Sequence, residues 1–247
     1  FSSRYGGQMM EFGSFERLFN WQNTMMRREE IYHLQDEHQT DKEEIDSIHD
    51  GTSMNESLRS ELSFDPSPRY SFIDHLSCGK ITLERFKNLD FGDITDFMHG
   101  AFTPNSHELS FFQKGLIYLD RKYETFLKKS YTCKGNCITL DVHLQSEYNG
   151  ELYYSSELNF HFAHLFDVRI NDQKIDEGLN LQQCKKFAIY DDFTQKILML
   201  QTNIPCDLNA YVASTISKSE SGFEKTPQQV SFMLTTQMNS NLFLQIS

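Results

Sequence analysis

Beyond Gly100, apolar and polar residues alternate with the period of two that sends successive side chains to opposite faces of a β-strand. In Cys137–Leu144 the apolar set Ile138, Leu140, Val142 and Leu144 interleaves with Cys137, Thr139, Asp141 and His143. That pattern predicts a strand with one buried and one wet face. The same reading predicts strands at Glu108–Gln113, Gly115–Lys122, Tyr123–Thr132, Asn136–Gln145, Glu151–Phe162 and Phe166–Ile170. Further strands follow at Lys185–Tyr190, Lys196–Gln201, Asp207–Ser217, Gln229–Thr236 and Asn241–Ile246. Turn signals such as Lys134-Gly135-Asn136, Asn149-Gly150 and Asn171-Asp172 punctuate them. Strands at this density without amphipathic helices between them mean an all-β antiparallel sandwich. No repeat of 20–50 residues is present, which argues against a propeller or solenoid.

The N-terminal part is patterned differently. Gln8–Phe12 and Ser14–Trp21 read as two short strands joined at Gly13. Arg27 to Asp65 is a polar excursion, with a short helix expected at Met54–Leu62 capped by Ser53 and supported by Glu56. Arg69–Leu76 reads as a strand, and Thr82–Asn88 as a helical turn or two capped by Thr82. The length suits one sandwich domain over residues 1–247.

Composition sharpens this picture. The 21 Phe and 11 Tyr suit a packed sheet. Of the net charge of −12, the stretch from Glu29 to Asp65 carries −10, with twelve acidic and two basic residues. A chain this acidic repels phosphate backbones, so nucleic acid is not an expected partner, whereas a neutral sugar meets no such penalty. Five cysteines would leave an odd thiol in a secreted chain, which favours a reducing, cytoplasmic compartment. The C-x3-C pair Cys133 and Cys137 reads as thiols flanking a hairpin turn, since a zinc site needs two more ligands. Neither a metal nor a cofactor is expected. No signal peptide or membrane-length apolar run is present, and no membrane partner is expected. A chain that starts at Phe1 rather than Met reads as a piece of something longer.

Three stretches hold candidate chemistry. R-Y-S-F-I-D-H-L at 69–76 brings Ser71, Asp74 and His75 together in sequence. In a strand, Asp74 and His75 point to opposite faces, and Ser71 stands roughly 13 Å from His75, so a catalytic triad within this stretch is excluded. Tyr70, Phe72 and Leu76 read as core, and Asp74 as a structural hydrogen-bonding group; Arg69 and His75 are candidates for a ligand surface. E-L-Y-Y-S-S-E-L-N-F-H-F at 151–162 sets Tyr153, Ser155, Glu157, Asn159 and His161 on one face. Such a row suits hydroxyl-rich ligands, and it also suits a solvated strand face. S-K-S-E-S-G-F-E-K at 217–225 offers Glu220 and Glu224 to a two-carboxylate mechanism, or an exposed charged turn bent at Gly222. His33, His38, His49, His161 and His164 lack metal-ligand spacing. No phosphate loop, dinucleotide fingerprint or nucleophile elbow occurs.

Six stretches in order resemble the C-terminal domain of the α-amylase/4-α-glucanotransferase branch of glycoside hydrolase family 57. They are Y-G-G-Q-M-M-E-F at Tyr5–Phe12, N-T-M-M-R-R-E-E-I-Y-H at Asn23–His33 and S-I-H-D at Ser47–Asp50. The others are P-R-Y-S-F-I-D-H at Pro68–His75, S-E-L-N-F at Ser156–Phe160 and S-K-S-E-S-G-F-E-K at Ser217–Lys225. The resemblance implies a β-supersandwich of the galactose-mutarotase-like type, which in that family follows a catalytic barrel. The catalytic residues belong to the barrel, so none carries over. Arg27, His33, Asp74, Glu220 and Glu224 then read as structural residues of the family's motifs. The expected role is a non-catalytic domain that binds or positions α-glucan or maltooligosaccharide, or supports a family 57 barrel in the same or another chain. Tyr153, Glu157, Asn159, His161, Arg69 and His75 are its candidate sugar-binding residues. The alternatives are a mutarotase-like sugar epimerase or hydrolase using a carboxylate beside a histidine (Glu157 with His161 or His75), and a purely structural docking domain.

Overall fold

A computed structural model describes residues 1–34, 54–175, 177–219, 222–238 and 241–247 of the chain. Ser53, His38, His49, Glu220 and the acidic segment 35–53, with its S-I-H-D motif, lie outside the described residues. In chain order the elements are β1 (Gly13–Ser14), β2 (Phe19–Asn20), α1 (Glu56–Ser60), β3 (Ile73–Ser77), α2 (Leu83–Lys87), β4 (Thr103–Pro104), β5 (Ser110–Tyr118) and β6 (Lys122–Lys134). They continue with β7 (Cys137–Ser146), β8 (Tyr153–Phe160), β9 (Arg169–Ile170), β10 (Gln173–Lys174), β11 (Leu179–Asp191), β12 (Lys196–Ser219), β13 (Gly222–Gln237) and β14 (Leu242–Ile246).

The strands are antiparallel and fold into a two-layered sandwich. One layer runs β3–β8–β13, then the second half of β12 and the start of β11 (Leu179–Leu181). The other runs β4–β5–β6–β7–β14 into the first half of β12, then β11, β9 and β10. Strand β12 is continuous over 24 residues where alternation suggested two strands. It crosses from one layer to the other around Pro205, beside which its pairing with β11 is irregular. A proline cannot donate to the ladder, so it falls where the ladder is already broken. Pro227 in β13 likewise sits at the register shift opposite Ala213 and Ser214.

The faces that meet between the layers carry Phe72, Leu127, Leu140, Tyr154, Leu158, Phe160, Phe187, Leu208, Phe232 and Leu244 in one continuous core. The alternation of β7 holds, with Leu140 and Val142 fully buried and Asp141 and His143 only partly covered. A second, smaller cluster lies on the outer face of the first layer, where Phe86 of α2 and Phe91 pack on Ile73, Tyr211 and Met233.

Several expected boundaries moved. Glu108–Gln113 and Gly115–Lys122 merge into β5, because Gly115 does not break the strand. It is a site of close approach instead, where an added Cβ would lie 2.8 Å from the buried Phe97 ring. The expected strands at Gln8–Phe12 and Ser14–Trp21 shrink to the two-residue pairing of β1 with β2 and a bridge from Met9 to Ser71. The run Arg69–Leu76 becomes strand only at Ile73, since Phe72 takes a positive φ of 66°. Helix α1 is capped by Asn55, whose side chain accepts from Leu58 N at 2.8 Å. Helix α2 is capped by Thr82 as expected. Among the described residues no helix is long and apolar enough to cross a membrane.

Replacing Gly115 by Ala drives a methyl group into the Phe97 ring. The overpacking cost exceeds the gain from a stiffer unfolded chain. Urea unfolding of Gly115→Ala should show a loss of about 1–2 kcal/mol; an unchanged midpoint would mean that Phe97 has room to move.

Candidate functional site

The polar row at 153–161 was expected to be open to sugar or solvent; the structure buries Ser155, Glu157 and Asn159 and leaves Tyr153 and His161 partly exposed. Glu157 is 2% exposed and His75 1%, and Ser155, Asn159 and Arg69 are buried with them. Strand alternation says which residues share a face but not whether that face is covered. Here a layer of irregular chain covers it. Met25 N donates to Gln229 Oε1 on β13, His33 bonds Ile216 O on β12, and Asn209 Nδ2 donates to Ile81 O.

Beneath this cover a chain of ion pairs is centred on Glu157. Arg69 Nη1 donates to Glu157 Oε1 at 2.6 Å, and His75 Nε2 lies 3.1 Å from Oε2. The other ring nitrogen of His75 meets Asp93 Oδ2 at 2.9 Å. Asp93 also accepts from Leu76 N, and Phe91 lies against the imidazole with ring centroids 4.3 Å apart. On the far side, Arg69 donates twice to Asp65 Oδ1, which also accepts from Arg27 Nη2 at 2.6 Å. Arg27 N donates to Asp65 Oδ2 while Asp65 N donates to Arg27 O, so the two residues clamp each other. Asn159 completes the set, donating to Glu157 Oε1 and Tyr70 O and accepting from Ser231 Oγ.

Arg27, Arg69 and protonated His75 balance Asp65, Asp93 and Glu157. Burial alone would push the Glu157 carboxyl up, but Arg69 and His75 outweigh it and hold it at about 2. Burial alone would push His75 down, but Asp93 and Glu157 outweigh it and raise it to about 9. Burial also pushes Asp65 up, and Arg27 and Arg69 overcome that and lower it. A carboxylate this acidic is a poor base near neutral pH, and no side of it is open to a substrate. The carboxylate–histidine contact expected of an epimerase forms, yet as a locked ion pair.

The remaining candidates are placed apart from this centre. His161 stacks on Phe19 and contacts Gln228 O. Tyr153 donates to Glu151 at the strand end. Asp74 turns the other way, into the space between the layers, where Lys129 Nζ lies 2.7 Å from Oδ2 and Tyr154 OH donates to Oδ1 at 2.6 Å. Burial pushes Asp74 up and Lys129 down, against their mutual attraction. His33 accepts from Glu30 N at Nδ1, so its Nε2–H donates to Ile216 O at 2.9 Å and pins the segment to β12. Glu224 is exposed on the β12–β13 hairpin, and Lys225 pairs with Glu61. Asp65, Asp93 and Lys129 were not foreseen, though the buried Lys129 sits in the alternating run of β6 where an apolar residue would be expected.

Over the network lies an open cleft of about 750 Å³. Its lining includes Arg27, Lys87, Asn88, Phe166, Tyr211 and Lys225. Phe166 is 66% exposed, and Tyr211 OH accepts from Arg69 Nη2 at 3.4 Å.

The network makes stability depend on pH in a definite direction. Folded His75 keeps its proton to about 9, against 6.5 ordinarily, so its contribution is complete below 6.5 and lost as pH rises to about 9. Folded Glu157 stays ionised down to about 2, against 4.5 ordinarily, so its contribution is complete above 4.5 and lost as pH falls towards 2. Urea titrations at pH 6.5 and 9 should show the chain losing on the order of a few kcal/mol. His75→Gln should be less stable at pH 6.5 and nearly flat across that window. An unchanged slope in the variant would remove His75 as the cause.

The model of the family described as "Alpha-amylase/4-alpha-glucanotransferase, C-terminal" matches residues 1–247. The chain is 25% identical over 248 residues to an alpha-amylase of Pyrococcus abyssi, covering 98% of this chain and 36% of that protein. It is 24% identical over 241 residues to a 4-alpha-glucanotransferase of Thermococcus litoralis, covering 93% of this chain and 34% of that one. The crystal structure of 4-alpha-glucanotransferase from Thermococcus litoralis superposes with a TM-score of 0.78 at 18% identity, covering 99% of this chain and 34% of that chain. The chain therefore spans about a third of the length of the relatives it matches, and the β-sandwich expected from alternation is the fold it shares with the Thermococcus litoralis structure over that part.

Proposed function

From the premise that this chain belongs to the alpha-amylase/4-alpha-glucanotransferase C-terminal family, we propose that it is a non-catalytic domain that positions α-glucan and braces a catalytic part. The observation that carries this reading is the closed Glu157 network. Its carboxylates and cations satisfy one another below the surface, so none of these network groups is presented to a substrate. The match to the C-terminal third of proteins named as amylases and glucanotransferases supports it from a second side. The epimerase alternative draws on the contact of Glu157 with His75, and burial on all sides weighs against it.

An α-glucan contact then belongs in the cleft rather than on the buried row of β8. A glucose ring offers an apolar face to stack on Phe166, while Asn88 and the charged rim can pair with vicinal hydroxyls. The cleft is of the size that ordinarily holds a small ligand.

Calorimetric titration with maltoheptaose should give saturable heat at about millimolar sugar, a modest affinity for an open cleft. Phe166→Ala should weaken it by about tenfold, the ~1.4 kcal/mol of a lost ring contact. Absence of heat with the intact chain would leave bracing as the domain's role.

A further inference from the structure

We infer that Cys184 and Cys206 are a redox pair that closes to a cross-strand disulfide and locks the β11–β12 hairpin where it passes from one layer to the other. The two residues are direct partners in the antiparallel register of β11 with β12. Partners in such a ladder have Cα atoms about 4.5–5.5 Å apart and side chains on one face. That separation falls within the roughly 4.4–6.8 Å that a disulfide spans. Both side chains lie on the core side: Cys206 is a buried member of the main core, and Cys184 packs against it half-buried.

Both thiols are free, and each faces a carbonyl of its own strand, Gln182 O at 3.3 Å and Ile204 O at 3.6 Å. Rotation of both side chains away from these carbonyls is what would bring the sulfurs together. The ladder gives them room, because the register shifts on either side of this pair and Gln183 takes a positive φ of 53°. The C-x3-C pair does not share these properties. Cys133 is opposite Ile138, the neighbour of Cys137, so Cys133 and Cys137 point to opposite faces of their hairpin.

The two thiols have different parts in the chemistry. Cys184 is reachable from solvent, whereas burial pushes the Cys206 thiol up to about 11. With a peroxide as oxidant, the Cys184 sulfur attacks the O–O bond, becoming a sulfenic acid as one water is released. Cys206 sulfur then displaces the sulfenic hydroxyl from Cys184, the S–S bond forms, and a second water leaves. The two thiols together lose two electrons and two protons, and hydrogen peroxide is reduced to two waters.

The test is hydrogen peroxide treatment of a Cys78→Ser, Cys133→Ser, Cys137→Ser variant, followed by thiol titration in denaturant, intact mass and non-reducing peptide mapping. The expected result is loss of both remaining thiols, a mass lower by two hydrogen atoms and a Cys184–Cys206 linked peptide that dithiothreitol separates. The oxidised form should melt several degrees higher than the reduced form, a gain that Cys206→Ser abolishes. Cys184 carried on to sulfinic acid with Cys206 still titrating would overturn the pairing, as would two thiols that survive treatment. The same peptide map of the wild-type chain, blocked with iodoacetamide, reads the linkage if the triple variant does not fold.

Discussion

The carboxylate of Glu157 takes one cation on each oxygen, and both cations come from one short run of chain. Arg69 reaches Oε1 and His75 reaches Oε2. A uniform strand from Arg69 to His75 would hold the two too far apart to share a carboxylate. The chain instead turns at Phe72, whose positive φ is uncommon for a large side chain and costs conformational energy. The Phe72 ring, fully buried in the main core, and the ion pairs on either side hold that turn in place. Asp65 then carries the chain of charges from Arg69 to Arg27, so the segment before β3 is tied to β8 through Glu157 as well as through the bonds of Tyr70 and Ser71 to Asn159. Buried ion pairs are weak evidence of net stabilisation, because desolvation cancels much of the attraction. Their consequence here is specificity: any arrangement that separates one member strands its partner without water.

Strand β3 feeds two buried polar clusters at once. Asp74 points between the layers to Lys129 of β6, and His75 points outward to Glu157 of β8. Neighbouring residues thereby fix β3 against the opposite layer and against its own. This explains why all five residues of β3 are buried although two of them are ionisable. Lys129 Nζ also donates to Phe72 O, which adds a hold on the strained turn from the opposite layer.

The sandwich was legible because alternation survives in most strands, and the opposed directions of Asp74 and His75 followed from it alone. Where the reading failed, the cause was the layer above the sheet. Ser155, Glu157 and Asn159 look like a solvated face because period two cannot distinguish water from a polar covering segment. Asp65 and Asp93, the partners that complete the network, sit in irregular chain with no periodic signal to mark them. The single strand β12 was read as two because Pro205 breaks the pattern, although the backbone passes through it by changing layers.

Burial of the polar row relocates whatever surface chemistry the domain has. The groups of β8 best suited to hydroxyls are consumed internally, so the α-glucan contact proposed above would fall to side chains that the network leaves over. The cleft is the place where the two meet. Arg27 lines it from above while Asp65 clamps the same guanidinium from below, and Tyr211 forms its floor with a hydroxyl turned towards Arg69. The cleft is thus built on the network rather than beside it. Tyr211 there rests on Phe86 and Ile73 and reaches Arg69, the partner of Glu157, through its hydroxyl. If the α-glucan contact proposed above is made in this cleft, its binding and the charge state of the network would be linked, and by linkage the coupling would act equally in both directions.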